Sequence, residues 1–298
     1  MEFSRIFVLG AGAIGSVYGA FLSRKGKVTL VGSKSHVEAI HDRGLRLTGD
    51  LDQEFILSAS VRIDEIPSNS LILLTTKAHD TTRAINNVKV KLKNDSLLLI
   101  LQNGLGNEKI VKALVGNRIK VLRGITMMAS EFIEPGKIQF RKGMTIIEKN
   151  VVSEDIKLLF NECGLETCIS DNIRDQIWDK LVLNCILGPL TAILRVRNHK
   201  VGSEKLRWVR NQIFIECTKI GEVEGVDIKT NLKEIDLKIS KYTNYSSMYQ
   251  DIIRERKTEI DFLNGMIVKL GEKHRIPTPV NHTLKCLIEF LEENPVEV

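Results

Sequence analysis

The stretch Ser4-Arg-Ile-Phe-Val-Leu-Gly-Ala-Gly-Ala-Ile-Gly15 decides how the first half of the chain folds. Residues 4–9 form a short apolar run rich in β formers, and a glycine-rich loop follows at once. An amphipathic stretch continues to Arg24, and residues 27–31 (Lys-Val-Thr-Leu-Val) have the composition of a second strand. The spacing predicts a strand–helix–strand unit of about 30 residues, the context in which a glycine loop binds a dinucleotide.

The three glycines of the loop have separate expected roles. Gly10 permits the tight turn, Gly12 lets a pyrophosphate approach the backbone, and Gly15 lets the helix pack closely on the strand. The helix N-terminus then offers free N–H groups and a partial positive charge to phosphates. The alternative is a glycine-rich turn that packs a helix and binds nothing. The residues predicted to contact the cofactor here are Gly10, Ala11, Gly12, Ala13, Ile14 and Gly15.

The end of the second strand indicates which nucleotide would bind. NAD sites usually place an acidic residue there, against the ribose hydroxyls. This chain has Gly32-Ser-Lys-Ser-His36 and no acid. The hydroxyl of Ser33 and the cation of Lys34 suit a 2′-phosphate, so the pattern favours NADPH/NADP. The alternative is that Lys34 is an exposed loop lysine.

Further buried-strand and helix patterns alternate along the first half, which predicts a doubly wound parallel sheet with helices on both faces. The strand candidates are Leu71–Thr75, Leu97–Leu101 and Ile119–Leu122, with helical patterns near 79–92 and 106–115. Two polar clusters, Thr75-Thr-Lys77 and Gln102-Asn-Gly104, end neighbouring strands where ligands bind, although either could be a capped turn. Residues 124–149 are expected to add antiparallel strands to one edge.

The second half has a different composition. Of 21 glycines, 15 lie in residues 1–171, and no proline occurs between Pro189 and Pro277. This predicts a helical domain over 172–298 after an α/β domain over 1–171, with a cleft between them as the default site. Long helical stretches are expected from Arg174 to Leu194, at 203–225, at 247–274 and onward to the C-terminus.

The helix that begins near Arg174 places Lys180, Asn184 and Gly188 on one stripe, four residues apart. The rest of its surface is apolar, so the helix is expected to be buried and its lysine partly desolvated. Burial lowers the pKa of a lysine, which suits a general acid. The alternative is a structural lysine that extends its ammonium group to water.

A carboxylate and a polar run follow later in the helical domain. Glu259 is expected on an apolar stripe of a helix through 252–270, where it would be paired or line a cleft. The run Asn244-Tyr-Ser-Ser-Met248 offers amide and hydroxyl donors to a small polar substrate. Its alternative role is a helix cap made by Ser246 or Ser247.

Composition excludes several classes of protein. The net charge is +6, but acidic and basic residues are interleaved, as in Arg254-Glu-Arg-Lys-Thr-Glu259, which indicates a solvated helix face rather than a nucleic-acid interface. No membrane span, signal peptide or zinc spacing is evident, and the five cysteines have no CxxC pair, so a cytoplasmic protein with no metal site is expected. The cysteines are Cys163, Cys168, Cys185, Cys217 and Cys286.

Taken together and in this order, the motifs resemble the ketopantoate reductases (2-dehydropantoate 2-reductases) over essentially the whole chain. The motifs are Gly10–Gly15, Thr76-Lys-Ala78, Gln102-Asn-Gly104, Trp178-Asp-Lys-Leu-Val-Leu-Asn-Cys185, Pro189-Leu-Thr-Ala192, Ser246-Ser-Met-Tyr-Gln-Asp251, Thr258-Glu-Ile-Asp261 and Asn264-Gly265. The resemblance implies a Rossmann-type N-terminal domain, followed by an all-helical C-terminal domain like that of 6-phosphogluconate dehydrogenase. It also implies NADPH-dependent reduction of ketopantoate to pantoate, a step toward pantothenate and coenzyme A.

The resemblance implies a role for each matching residue. Lys180 corresponds to the general acid, Glu259 to a glutamate that contacts substrate and orients the lysine, and Ser247 to a serine that binds the substrate carboxylate. The amides that orient the substrate correspond to Asn184, Asn198 and Asn244. Lys77 and Asn103 correspond to residues beside the nicotinamide end of the cofactor.

Two positions depart from the family pattern. Gly188 stands where the family often has asparagine, which leaves open a related NADPH-dependent reductase of another 2-oxo acid. Lys34 stands in for an arginine that the family often has near Ser33, and it lacks the bidentate fork of that residue. A non-catalytic NADPH-sensing regulator is a further alternative, although a sensor needs no proton donor. The sequence allows a monomer or a homodimer.

Overall fold

The computed structural model describes residues 3–294, which form two compact units. The first unit comprises residues 3–102 and 106–173, and the second comprises 103–105 and 174–294. Residues Asn103–Leu105 follow a strand of the first unit in sequence but belong to the second unit.

The described part of the first unit contains twelve strands. They are β1 (Arg5–Leu9), β2 (Val28–Val31), β3 (Leu45–Gly49), β4 (Gln53–Phe55), β5 (Ser58–Ser60), β6 (Ser70–Leu74), β7 (Leu97–Ile100), β8 (Lys120–Thr126), β9 (Ala129–Glu134), β10 (Lys137–Arg141), β11 (Thr145–Glu148) and β12 (Thr167–Ser170). Its helices are α1 (Ala13–Leu22), α2 (Lys34–Arg43), α3 (Thr81–Val88), α4 (Asn107–Val115) and α5 (Ser153–Glu162).

Eight of these strands form one sheet, in the order β12-β11-β8-β7-β6-β1-β2-β5. All its neighbouring pairs are parallel except β8 with β11. In β1, Ile6 and Val8 pack into the core on one face of the sheet, with residues of α1 and α5. Phe7 and Leu9 pack into the core on the other face, with residues of α3 and α4. The alternation confirms the expected doubly wound architecture, because successive strand residues point to opposite faces.

The expectation for residues 124–149 is only partly correct. Strands β8 and β11 do pair antiparallel in the large sheet, but β9 and β10 leave it. They form a separate four-stranded sheet, in the order β4-β3-β10-β9. Its central pairing places Arg46 of β3 opposite Lys137 of β10, in parallel. Periodicity identifies each strand but carries no information on such a distant partner.

The described part of the second unit is helical. Its helices are α6 (Ile173–Leu194), which begins at the last residue of the first unit, α7 (Arg207–Val223), α8 (Leu232–Lys241), α9 (Ser247–Ile252), α10 (Asn264–His274) and α11 (Pro279–Glu293), with 3₁₀ turns at Asn198–Gly202, Glu204–Leu206 and Ile260–Phe262. Helix α6 provides the largest buried side chain of its core, Trp178.

Helix α6 is long and apolar enough to cross a membrane, with a mean hydropathy of 1.5 over its 18-residue window. However, 72% of that window is buried inside the protein. A buried core helix satisfies the same criterion, so the hydropathy of α6 reflects its central place in the helical unit.

Helix α6 also contains an internal proline, Pro189. A proline has no N–H, so the carbonyl of Cys185, four residues earlier, loses its usual helical partner. The amide of Asn264 replaces that partner, because its Nδ2 donates to the Cys185 oxygen at 3.0 Å and to Oδ1 of Asn281 at 2.9 Å. Asn281 in turn donates to Oε2 of Glu216 at 2.7 Å, and all three side chains are buried.

Replacing Asn264 with alanine is expected to lower the free energy of unfolding by about 2 kcal/mol, because two buried acceptors lose their donor. Chemical denaturation of the variant measures the change. Thr283→Ala is a matched control, since Thr283 lies on an exposed face of α11 and its hydroxyl donates only to the Pro279 carbonyl. Equal stability of both variants would show that Asn264 does not compensate for the proline.

The single helix expected over 247–274 is wrong. Helix α9 ends at Ile252, and Glu255 takes the left-handed conformation with φ 52°. The N–H of Arg256 then donates to the Asp251 carbonyl at 2.9 Å, a bond that closes the helix end. The alternating charges of 254–259 therefore belong to a connection between helices and not to a helix face.

Candidate active site

The glycine loop connects β1 to α1 with the geometry that its spacing predicts. Gly10 has φ +104°, and a Cβ there would lie 2.4 Å from the Thr76 nitrogen. A Cβ on Gly15 would lie 2.2 Å from the Gly10 oxygen. By contrast, a Cβ on Gly12 would meet no described atom within 4 Å. Two of the glycines are therefore required by packing, while Gly12 presents its backbone to open space and fits the approach of a pyrophosphate.

The segment after β6 packs directly on this loop. The Thr75 hydroxyl lies within hydrogen-bond distance of the Leu9 and Gly10 carbonyl oxygens, at 3.1 and 2.9 Å. The Gln102 amide, at the end of β7, donates to the Thr76 carbonyl at 2.9 Å. Thr75 and Thr76 of one predicted cluster therefore lie together with Gln102 of the other in the first unit, whereas Asn103 and Gly104 belong to the second unit.

The predicted 2′-phosphate residues stand at the start of α2, directly after β2. Ser33 occupies the N-cap position, although its side chain makes no capping bond. Lys34 opens the helix with a side chain that is 83% exposed, 3.7 Å from Glu38. Such an exposed ion pair is weak, so the lysine ammonium can be redirected to a phosphate.

His36, on the same helix, has a structural place. Burial lowers its pKa to about 4, so the ring is neutral at pH 7. Its Nδ1 accepts from the Gly136 N–H at 3.0 Å, which leaves Nε2 to donate to the Ser16 hydroxyl at 3.0 Å. The neutral ring therefore joins α1 to the turn between β9 and β10.

Helix α6 carries the predicted catalytic stripe. Lys180 and Asn184 are half-buried, whereas Leu181 and Val182 between them are fully buried. The neighbouring Asp179 has a structural role, because its Oδ1 accepts a hydrogen bond from the Thr230 N–H at 3.0 Å. Burial is the largest influence on that carboxyl and raises its pKa above the usual value.

Gly188, the third member of the stripe, is packed against a methionine. A Cβ at this position would lie 3.2 Å from Cε and 3.3 Å from Sδ of Met248. Met248 is itself buried. An asparagine at 188 would therefore require Met248 to move, so the glycine and the methionine form a complementary pair.

Glu259 does not lie on a helix, in contrast to the prediction. It precedes the 3₁₀ turn Ile260–Phe262 and is 6% exposed. The Asn103 amide lies 3.5 Å from Oε2 of Glu259. The segment is held there because Gly104, with φ +79°, places its Cα against the Phe262 carbonyl, to which the Leu105 N–H donates at 3.0 Å. Two residues predicted for different roles thus come together in the second unit.

The remaining predicted residues also lie in the second unit. The Asn198 N–H donates to the Asn244 carbonyl at 3.1 Å. Asn198 is buried, and its Oδ1 has no hydrogen-bond donor within residues 3–294. Ser246 is the cap of α9, since its Oγ accepts from the Tyr249 N–H at 3.0 Å. Ser247 is exposed at the first position of that helix, so its hydroxyl is available to a ligand.

Sequence reasoning missed two contributors to these arrangements. The sequence does not indicate that Met248 fills the space beside Gly188, because the two residues are 60 positions apart. Asn264 offered a weak signal, since a proline inside a helical pattern implies a carbonyl that needs another donor. Within residues 3–294, no group of three His, Cys, Asp or Glu side chains could hold a metal ion.

A Rossmann-type unit with an open glycine loop, joined in sequence to a helical unit with a half-buried lysine, defines the class: a pyridine-nucleotide-dependent oxidoreductase. The sequence pattern "Ketopantoate reductase PanE/ApbA" matches residues 6–150, and "Ketopantoate reductase PanE/ApbA C terminal" matches residues 172–292. The chain belongs to the ketopantoate reductase family, which confirms the resemblance seen in its motifs.

Individual relatives match over nearly their full lengths. The chain is 36% identical to a 2-dehydropantoate 2-reductase of Pyrococcus horikoshii, with 97% of each chain covered. A PanE/ApbA family ketopantoate reductase from Ralstonia eutropha has a similar structure, with a TM-score of 0.91, 31% identity and 98% and 99% of the two chains covered. A D-mandelate dehydrogenase bound to NADH and anilino(oxo)acetate has a TM-score of 0.89 and 28% identity over 97% and 98%.

Proposed function

We propose that this protein reduces ketopantoate to pantoate with NADPH, as a step toward pantothenate and coenzyme A. The observation that carries the proposal is the near full-length similarity to 2-dehydropantoate 2-reductases. The structure supports it with a glycine loop that has room for a dinucleotide and with a helical unit that holds the predicted substrate residues.

Residues of the first unit would hold most of the cofactor. The loop Gly10–Gly15 would bind the pyrophosphate, Ser33 and Lys34 the 2′-phosphate, and Lys77 the nicotinamide end, with Asn103 of the second unit. When bound, the reduced nicotinamide supplies a hydride to the carbonyl carbon of the substrate. The absence of an acid after β2 supports NADPH over NADH. The NADH-bound D-mandelate dehydrogenase shows that a structural neighbour uses the other nucleotide.

Residues of the second unit would manage the substrate and the proton. The Lys180 ammonium stabilises the negative charge that develops on the carbonyl oxygen and then donates a proton to form the hydroxyl. Glu259 helps to orient that lysine and the substrate. The Ser247 hydroxyl donates to the substrate carboxylate, while the amides of Asn184, Asn198 and Asn244 fix its orientation. The donor-free Oδ1 of buried Asn198 suits a hydroxyl group on the substrate.

The pairing of Gly188 with Met248 favours a second candidate, reduction of another 2-oxo acid. A thioether in place of an amide makes this part of the second unit more apolar. The D-mandelate dehydrogenase, 28% identical, binds anilino(oxo)acetate, which has an aromatic substituent. An apolar or aromatic 2-oxo acid is therefore the class of substrate to compare with ketopantoate.

Steady-state oxidation of NADPH and of NADH, each with ketopantoate and a panel of other 2-oxo acids, tests the proposal. The highest kcat/KM is expected for NADPH with ketopantoate. A higher value for an aromatic 2-oxo acid would favour the second candidate. Tight NADPH binding without turnover of any 2-oxo acid would instead favour an NADPH-sensing regulator.

Ser247→Ala is expected to raise KM for the 2-oxo acid about tenfold with little change in kcat, because a carboxylate anchor acts in ground and transition states alike. Ser240→Ala is the matched control. Ser240 is an exposed serine of α8 whose hydroxyl donates to the Leu237 carbonyl at 2.9 Å, so its replacement should leave KM unchanged. An unchanged KM in Ser247→Ala would contradict the carboxylate assignment.

We also propose that the protein is cytoplasmic and acts on a small molecule as a monomer or a homodimer. It is proposed to have no nucleic-acid or membrane partner. Its free cysteines support a reducing compartment. The interleaved charges along the chain support the absence of a nucleic-acid surface.

A further inference from the structure

The Gln102 side chain is buried at the end of β7, where its amide joins two loops of the first unit. Its Nε2 lies 2.9 Å from the Thr76 carbonyl, 3.0 Å from the Thr76 hydroxyl, 2.9 Å from the Thr81 hydroxyl and 3.3 Å from the Lys77 carbonyl. An amide nitrogen has two protons, so one can serve Thr76 and the other Thr81 or Lys77. The Thr81 hydroxyl also donates to the Ala78 carbonyl at 2.7 Å, which fits its role as an acceptor from Gln102.

A buried arginine fixes the backbone of Gln102. The Arg123 guanidinium donates to the Gln102 carbonyl at 2.6 Å and to the Ile100 carbonyl at 3.1 Å. Its Nε lies 3.7 Å from a Glu108 carboxylate oxygen, which balances the buried charge. Because a guanidinium has a rigid planar fork, these contacts hold the end of β7 in one conformation.

The segment that Gln102 holds is the one packed on the glycine loop. A Cβ on Gly10 would lie 2.4 Å from the Thr76 nitrogen, so the two backbones already touch. A shift of Thr76 would therefore displace the Gly10 turn or open a gap beside it. The hydrogen bonds of Gln102 thus act on the cofactor loop through one intermediate residue.

We propose that Gln102 is a positioning residue for cofactor binding, which it achieves by holding Thr76 and Lys77 against the glycine loop. The proposal rests on the proposed use of a nicotinamide dinucleotide but not on the identity of the 2-oxo acid. Its contribution passes through the hydrogen bonds that its amide gives to Thr76 and to either Thr81 or Lys77.

The test is a fluorescence titration of each variant with NADPH and with NADH in the absence of 2-oxo acid, compared for whichever nucleotide the wild type binds more tightly. Gln102→Met retains length and removes the amide, and its Kd is expected to rise about tenfold. Val88→Ala is the control, because it truncates a buried residue of α3 and destabilises the same unit without touching this network. Its melting temperature should fall while its Kd stays within twofold of the wild-type value, a range far smaller than a tenfold effect.

A second pair of variants separates positioning from general destabilisation. Thr81→Ser keeps the hydroxyl and should keep the wild-type Kd, whereas Thr81→Val removes it and should weaken binding in the same direction as Gln102→Met. A wild-type Kd in Gln102→Met, or equal losses of affinity in Gln102→Met and Val88→Ala, would overturn the proposal. A wild type that binds neither nucleotide would overturn it as well. Binding without ketopantoate turnover would overturn only the proposed substrate.

Discussion

Replacing Lys180 with alanine is expected to lower kcat by about 100-fold or more, the usual effect of losing a general acid. The hydride adds to a carbonyl carbon, and the negative charge that develops on the oxygen needs a nearby cation and then a proton. Lys180 is half-buried, and the next two residues of its helix, Leu181 and Val182, are apolar and fully buried. In such surroundings a positive charge acts more strongly than it does in water.

The measurement is the steady-state rate of NADPH oxidation at saturating 2-oxo acid, with the melting temperature recorded for each variant. Lys180→Arg is the control, because arginine retains the positive charge but does not release its proton near neutral pH. We expect it to remain slow, which would separate proton donation from charge stabilisation. Lys180→Ala with wild-type kcat would remove this residue from the mechanism, and Lys180→Arg with wild-type kcat would leave it only an electrostatic role.

Local sequence patterns identified most elements of the first unit. The run 4–9 and the glycine loop appear as β1 and the start of α1, and the expected strands near 71–75 and 97–101 appear as β6 and β7. These predictions succeed because a buried parallel strand is a continuous apolar run, and the connection to the next helix is short. The small second sheet was missed, since the pairing of β3 with β10 joins segments that are distant in sequence.

For the predicted residues of the second unit, local patterns were less informative about structure than they were in the first unit. Motif order predicts a role for Glu259, which stays a prediction, whereas the helix assigned to this residue was wrong. Residues 252–270 have helical periodicity, yet the left-handed Glu255 ends the helix, and only glycine or asparagine would have indicated such an ending. Likewise, the packing of Gly188 on Met248 depends on how two helices meet, which neither helix encodes alone.

Gly12→Ala is expected to weaken NADPH binding about 100-fold, equivalent to about 2.7 kcal/mol, and to leave the melting temperature unchanged. Gly12 has φ −79° and ψ −163°, a conformation that alanine adopts without strain. No described atom lies within 4 Å of the added methyl group, so the folded protein itself accommodates it. The methyl group would instead occupy the space through which a pyrophosphate must approach the backbone.

Gly10→Ala provides the contrast, because its φ of +104° and the Thr76 nitrogen 2.4 Å from the new Cβ make it costly to the fold itself. Gly10→Ala should have both a lower melting temperature and a lower affinity for NADPH, whereas Gly12→Ala should have only a lower affinity. Calorimetric titration with NADPH, together with thermal unfolding of both variants, distinguishes the two positions. If Gly12→Ala bound NADPH as tightly as the wild type, the nucleotide would not pass over Gly12, and the loop would be a packing turn. The melting temperature matters equally, because an affinity lost through unfolding would say nothing about where the phosphates lie.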